Sequence, residues 1–599
     1  MTRRLTRAEV PVAETWNLDD LFPSRAEWEA ELEAVRRDVG TVTQYKGRFG
    51  EGAGVLLECL EAYERLYARL VRVATYADLR AAADGSDPLN QADAARADAL
   101  EAEVRAALSF LRPEILALPD GTVERYLQEE PRLGDFRKAL EEILEQKPYT
   151  LAPETEAALA ALSEIHQAPY VIYQRAKAAD IQLEPIADRD GKELPNSLAL
   201  YEDRYELHPD TELRRRAFRS FVAGLRRYQH TLGAAFAAEV KKNVVMARLR
   251  GYPSATHMLL QPHQVTEEVY RNVLDTVFHE LAPHMRRYAR LRRRVLGLDT
   301  LYVCDLKSPL DPDYNPPVTY EEASELILGA LEVLGPEYTQ VIRSALTERW
   351  VDRADNVGKS TGAFCSSPYG AHPYILITWT GTLRGTFVLA HELGHAGHLY
   401  LAQRYNRLVN HRPTTFFIEA PSTLNELLLA GHLLARTDDP RMRRWILTTL
   451  LGTYFHNFVT HLLEGELQRR IYALAEAGEP ITATTLSETK AAILKEFWGD
   501  TVEIEEGAAL TWMRQPHYYM GLYPYTYAAG LTISTRVAQQ IREEGRPAAE
   551  RWVEVLKAGG TKRPLELARM AGVDMASPEP IRQAVAYVGS LIDELERLF

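Results

Sequence analysis

The chain has 599 residues, of which 46% are hydrophobic and 26% charged, and a formal net charge of −14. Such a length exceeds what one ordinary hydrophobic core serves, so two or more lobes are expected, and the composition excludes a disordered or fibrous chain. The acidic balance argues against nucleic acid or an anionic membrane as a partner, because both require a basic face.

From about Trp28 to His166 the chain reads as helix after helix. Val55–Ala83, Gln91–Leu111 and Phe136–Glu145 each carry apolar residues at three- and four-residue spacing, and Pro113, Pro119 and Pro131 punctuate them. The stretch Ile181–Leu198, with its Asp188-Arg189-Asp190-Gly191 turn, predicts a small hairpin. A boundary near residue 200 follows, giving an N-terminal helical lobe over 1–200 and a second domain over 201–599. Helical periodicity resumes at Thr211–Ala247, where Asp210 can cap the first turn. It continues to the end, with breaks at Pro253 and around Pro309–Pro317. Pro373–Trp379, bounded by Gly370 and Gly381, is the strongly strand-like interval of the second half. The fold class expected is mainly α, with a small β element.

Cys59, Cys304 and Cys365 are far apart and in no metal-binding spacing, which predicts no disulfide framework and a reducing compartment. The opening Met1–Arg7 is charged with no apolar run behind it, and no later segment has the apolar length to cross a bilayer. A cytoplasmic protein is expected. The runs Arg214–Arg216 and Arg292–Arg294 read as solvated helix faces paired with nearby acids.

Thr386-Phe387-Val388-Leu389-Ala390 leads directly into His391-Glu392-Leu393-Gly394-His395, which predicts a helix with its other face buried. Residues four apart share a face, so His391 and His395 can offer two imidazole nitrogens to one ion at about 2.0–2.1 Å. Glu392, one step round, would flank the ion and take a proton from a water there, as in metalloproteases. A structural helix has little reason to bury a glycine at 394, at a cost of about 1 kcal/mol against Ala. His398 is excluded as a ligand because it sits about 10 Å along the axis from His391. The third ligand should be a downstream carboxylate, leaving a fourth position open for water. The candidates are Glu419, Glu426, Glu464 and Glu466. Glu419 and Glu426 are two turns apart on one face, so one can ligate while the other orients a ligand histidine. Glu464 and Glu466 read alternatively as an exposed helix face.

These residues resemble the oligopeptidase group of zinc peptidases, which includes thimet oligopeptidase, peptidyl-dipeptidase and oligoendopeptidase F. The resemblance is carried by Gly362-Ala363-Phe364-Cys365, the strand Pro373–Trp379, the motif Leu389–His398 and Phe417-Ile418-Glu419-Ala420-Pro421-Ser422. It is strongest toward the bacterial oligoendopeptidase F branch, through Trp16-Asn17-Leu18-Asp19-Asp20-Leu21-Phe22 and Asn425-Glu426. It spans most of the chain and is specific from about 358 to 530. It implies two helical lobes enclosing a deep channel, with zinc on the floor held by His391, His395 and Glu419. Within Gln515–Gly530, it implies that His517, Tyr523 and Tyr527 face the oxyanion formed during hydrolysis, where such donors supply much of the catalysis. Tyr519 and Tyr525 are the alternative donors, and the family's last tyrosine falls on Gly530.

The resulting expectation is a zinc endopeptidase acting on short peptides, with one Zn2+ per chain and Glu392 as general base, present as a monomer or small homo-oligomer. Strand 373–379 would pair with substrate backbone, making Tyr374, Ile375 and Ile377 substrate-binding residues. A terminus-trimming peptidase and a catalytically dead helical binding protein are the alternatives.

Overall fold

Helices form where apolar residues recur at three- and four-residue spacing. In the computed structural model, which describes residues 4–599, they cover Ala53–Ala83, Pro88–Ala107 and Arg137–Leu144 in the first quarter of the chain. Residues 1–3 of the charged opening lie outside the described residues. The longest helix, Thr211–Arg250, starts where Asp210 Oδ1 accepts the Leu213 amide at 3.1 Å and stops at Gly251, whose φ of 78° ends the helical path. The hairpin falls where the turn residues place it. Strands β1 (Ile186–Ala187) and β2 (Glu193–Leu194) pair antiparallel, with the Asp188 carboxylate accepting the amides of Asp190 and Lys192. The described residues are mainly α-helical, and none of the helices is long and apolar enough to cross a membrane.

Buried residues divide between two cores. The smaller gathers side chains from Trp16 to Leu140 and the larger runs from Tyr173 to Leu595. A three-stranded sheet separates them: β3 (Val351–Asp352), β4 (Phe364–Ser366) and β5 (Tyr374–Leu376), in the order β3-β5-β4. Side chains alternate across a strand. Tyr374 and Leu376 therefore enter the smaller core, while Ile375 and Ile377 enter the larger one. Trp16 packs its ring against Phe364 and Tyr374, so the opening Trp16–Phe22 segment serves to cover this sheet. The buried Lys359 ammonium ties the sheet to its flanking loop, donating to Asp352 Oδ1 and to the carbonyls of Ala354 and Ile377 at 2.7 Å each.

Each arginine run turns its first member inward, while Arg293 and Arg294 stay exposed as expected. Arg214 is fully buried and meets Asp305 at 2.6 Å, with Arg215 on the other carboxylate oxygen at 2.8 Å, and Arg292 is buried against the Ser308 carbonyl. Three consecutive helical residues span about 200° of the helix circumference, so a run of three cannot all face water. The inward member must find a buried acceptor.

Candidate metal centre

The motif lies in the helix Leu383–Tyr405, whose first turn is capped by the Thr382 hydroxyl accepting the Gly385 amide at 3.3 Å. Four-residue spacing puts His391 and His395 side by side, with ring centroids 5.1 Å apart. Glu419 occupies the junction between the short helix Thr415–Ile418 and the helix Ala420–Leu434. Its Oε2 stands 3.6 Å from Nε2 of both His391 and His395. That is too long for a hydrogen bond. It suits three donors around one tetrahedral ion, which stand about 3.4 Å apart when each bond is about 2.1 Å. The ligand atoms of the three residues all lie within 4.8 Å of one another.

The surroundings also fit a cation. His391 Nδ1 meets Glu426 Oε1 at 2.6 Å, and Glu426 Oε2 accepts the Thr453 hydroxyl at 2.9 Å, so the second imidazole nitrogen is held by an oriented carboxylate. Burial works against a charged His391, yet Glu426, Glu392 and Glu419 together push it up to about 9, showing a field that favours positive charge. His395 is held down to about 3 by burial, which leaves a neutral lone pair of the kind a metal needs. Burial pushes the Glu392 carboxyl up to about 7, inside the range in which a general base works at neutral pH.

Gly394 sets the distance between the two ligand-bearing helices. A Cβ there would lie 2.5 Å from Ser422 Cα and 2.6 Å from the Pro421 carbonyl oxygen. Ala is the better helix former by about 1 kcal/mol, but forcing an atom into packed backbone costs about 1–3 kcal/mol and moves it. Gly394→Ala is therefore expected to stay folded, with Glu419 pushed off the imidazoles and metal affinity reduced. Melting temperature and elemental analysis check this, and full metal loading would show that helix separation does not govern the site. Gly530 makes the matching approach from the other side, where a Cβ would be 3.0 Å from Glu419 Cβ. That position backs onto Glu419 and has no room for a ring.

The remaining candidates separate cleanly. His398 is fully buried against Phe417 and lies outside the three-residue group. Glu464 is buried on Lys490 at 2.7 Å and Glu466 on Arg469 at 2.6 Å and Arg470 at 2.7 Å, so neither is an exposed face and neither reaches the histidines. His517, Tyr523 and Tyr527 line the same cavity as His391, Glu392, His395 and Glu419, a space of about 1510 Å³. The His517 and Tyr523 rings stack at 5.5 Å, and the Tyr527 hydroxyl meets His517 Nε2 at 3.4 Å. Burial, with Lys177 adding to it, lowers His517 to about 4, so its imidazole is neutral at neutral pH. Tyr518 and Tyr525 are buried, Tyr518 stacked on Phe236 and Tyr525 bonded to His263 Nδ1 at 3.1 Å, while Tyr519 packs on Tyr173; none of the three lines the cavity.

Strand β5 does not offer an edge to substrate. It is the central strand, with β3 on one side and β4 on the other, and Tyr374, Ile375 and Ile377 are buried in the two cores. The expected substrate role of these three residues is therefore overturned. Ala363, Phe364 and Cys365 at β4 line the cavity instead.

Two cavity histidines escape sequence reasoning. His456 and His461 face each other with Nε2 atoms 3.2 Å apart, and His461 stacks on Tyr527 at 4.1 Å. They are five residues apart, a spacing that an α-helix separates. The π-helical turn Phe455–Thr460 brings them together, and such turns recur at functional sites.

The chain matches the model of peptidase family M3 over residues 205–587 and the oligopeptidase F model over 114–182. It is 34% identical to oligopeptidase PepF of Bacillus subtilis, across 99% of this chain and 88% of that protein. It is 28% identical to an oligoendopeptidase F homolog of Borreliella burgdorferi, across 99% of this chain and 100% of that protein. Among solved structures, oligoendopeptidase-F from Enterococcus faecium superposes with a TM-score of 0.75 at 26% identity, covering 96% of this chain and 99% of that one.

Proposed function

The chain belongs to peptidase family M3 and is a metallo-oligopeptidase, and from that premise we propose that it is a zinc endopeptidase cutting internal bonds of short peptides. The observation that carries this is the grouping of His391, His395 and Glu419 on the wall of a cavity of about 1510 Å³, beside the buried Glu392. The volume exceeds the roughly 300–1,000 Å³ of ordinary small-molecule sites and suits an extended oligopeptide.

Zinc held by His391, His395 and Glu419 would acidify a water molecule and polarise the peptide carbonyl. Glu392 takes the proton from the attacking water and passes it to the leaving amine. Glu426 fixes the orientation of His391 through its Nδ1 contact. His517 with Tyr523 or Tyr527 offers donors to the oxyanion. The outer edge of β4, which pairs with no strand among the described residues, accepts the substrate backbone as an added strand. The lobe over 1–200 closes the channel of the 201–599 domain and limits substrates by length. Three unpaired cysteines suit a reducing cytoplasm.

The test maps products by mass spectrometry from end-blocked peptides of increasing length, a folded protein, and the same protein denatured. Internal cuts in short blocked peptides and resistance of the folded protein are expected. Failure on blocked peptides alone would favour the terminus-trimming alternative, and efficient cleavage of the folded protein would refute the closed channel.

A further inference from the structure

Most cationic side chains on the cavity wall are already engaged, and among them Arg292 and Arg444 donate to the carbonyls of Ser308 and Leu598. Arg514 meets Glu202 at 3.1 Å and Glu206 at 2.9 Å, Lys307 meets Glu206 at 3.1 Å, and Lys177 donates to the Arg514 carbonyl at 3.0 Å. Arg384 and Arg412 are different. Both line the cavity and are exposed, and neither side chain makes a hydrogen bond or ion pair with any described residue.

Their placement relative to the metal ligands is informative. Arg384 precedes His391 by seven residues, two turns of one helix, so it lies on the same face about 10 Å up the axis. Val388, apolar and 39% exposed, fills the cavity wall between them. Arg412 stands in the connection from the motif helix to Glu419, and its charge is felt at His395, Cys365 and Tyr523. The two guanidinium groups thus bracket the candidate centre, one before His391 and one beyond it near His395.

A guanidinium at a cavity wall, without an internal partner and with its fork of donors unspent, is suited to bind a carboxylate in two-point fashion. An extended peptide advances about 3.3–3.6 Å per residue, so about 10 Å corresponds to three residues from the cleaved bond. Taking the protein to be the peptidase proposed above, we propose that Arg384 and Arg412 are carboxylate receptors, and that the channel selects peptides carrying a carboxylate within about three residues of the cleaved bond. Asp203, an acid on the 201–209 part of the wall that also has no ionic partner among the described residues, disfavours carboxylates there and makes the preference regional.

The carboxylate has two sources, a C-terminus or an Asp or Glu side chain, and paired substrates separate them. Metal-loaded enzyme is given end-blocked peptides with one Glu or one Gln at each of the three positions on either side of the cut, and neutral peptides with a free or amidated C-terminus. The readout is the ratio of kcat/KM within each pair, in the wild type, Arg384→Gln and Arg412→Gln. A ratio of about tenfold is expected on at least one side of the cut, with KM carrying most of it and the matching variant abolishing it. A ratio that follows Glu identifies the side chain as ligand, and one confined to free C-termini identifies the terminus. Equal rates within every pair, or a preference that survives in both variants, would overturn the proposal. No cleavage of any peptide would overturn the peptidase reading itself, and this inference with it.

Discussion

Replacing Glu392 by Gln is expected to leave the metal content unchanged and to lower peptide turnover by about 10²–10⁴-fold, equivalent to about 3–5 kcal/mol of barrier. Glutamine keeps the shape and the hydrogen-bonding capacity but cannot take up a proton. Glu392 is buried beside His391 and is not among the three residues whose ligand atoms converge, so its loss should be felt in proton transfer and not in metal binding. Burial also pushes its carboxyl up to about 7, so at neutral pH it can both accept a proton and give it back. Elemental analysis beside a mass-spectrometric turnover assay checks this. Retained turnover in the metal-loaded variant would place the base elsewhere.

Glu419→Ala should remove metal and activity together. Glu419 is the carboxylate that faces both imidazoles at 3.6 Å, and its side chain makes one further hydrogen bond, accepting the Ser422 hydroxyl at 3.2 Å. The fold therefore does not depend on it, and circular dichroism of the variant should match the parent. Chelation of the wild type should reproduce the loss, with added zinc restoring the wild type and not the variant. Glu426→Gln is expected to do less, weakening affinity or activity by about 10–100-fold, because Glu426 acts on His391 through the far nitrogen. The reverse ranking of the two glutamates would exchange their roles.

Much of this molecule was readable from local spacing. The helices Ala53–Ala83 and Thr211–Arg250, the Asp210 cap, the hairpin at Asp188–Gly191 and the helix carrying His391 and His395 all depend on residues within a few positions of one another, and the backbone geometry relating such residues is nearly invariant. The same holds for the exclusion of His398, a matter of rise per residue.

Tertiary structure alone decided what depends on distant partners. Strand β5 carries no local sign of its neighbours, and only the arrival of β3 and β4 from 351 and 364 makes it central and closes it to the expected substrate backbone. Glu464, Glu466 and Arg214 look like surface charges until Lys490, Arg469, Arg470 and Asp305 come in from elsewhere along the chain and from neighbouring turns to neutralise them. The five tyrosines of 518–527 are alike in sequence, and their fates diverge because Phe236, Tyr173 and His263 claim three of them while the cavity keeps Tyr523 and Tyr527. His456 and His461 meet through a π turn whose extra residue breaks the 3.6 period. Local periodicity determined which elements form. Which of their faces meet metal, substrate or core was set by packing between elements far apart in the chain, because burial belongs to the neighbour that arrives and not to the residue itself.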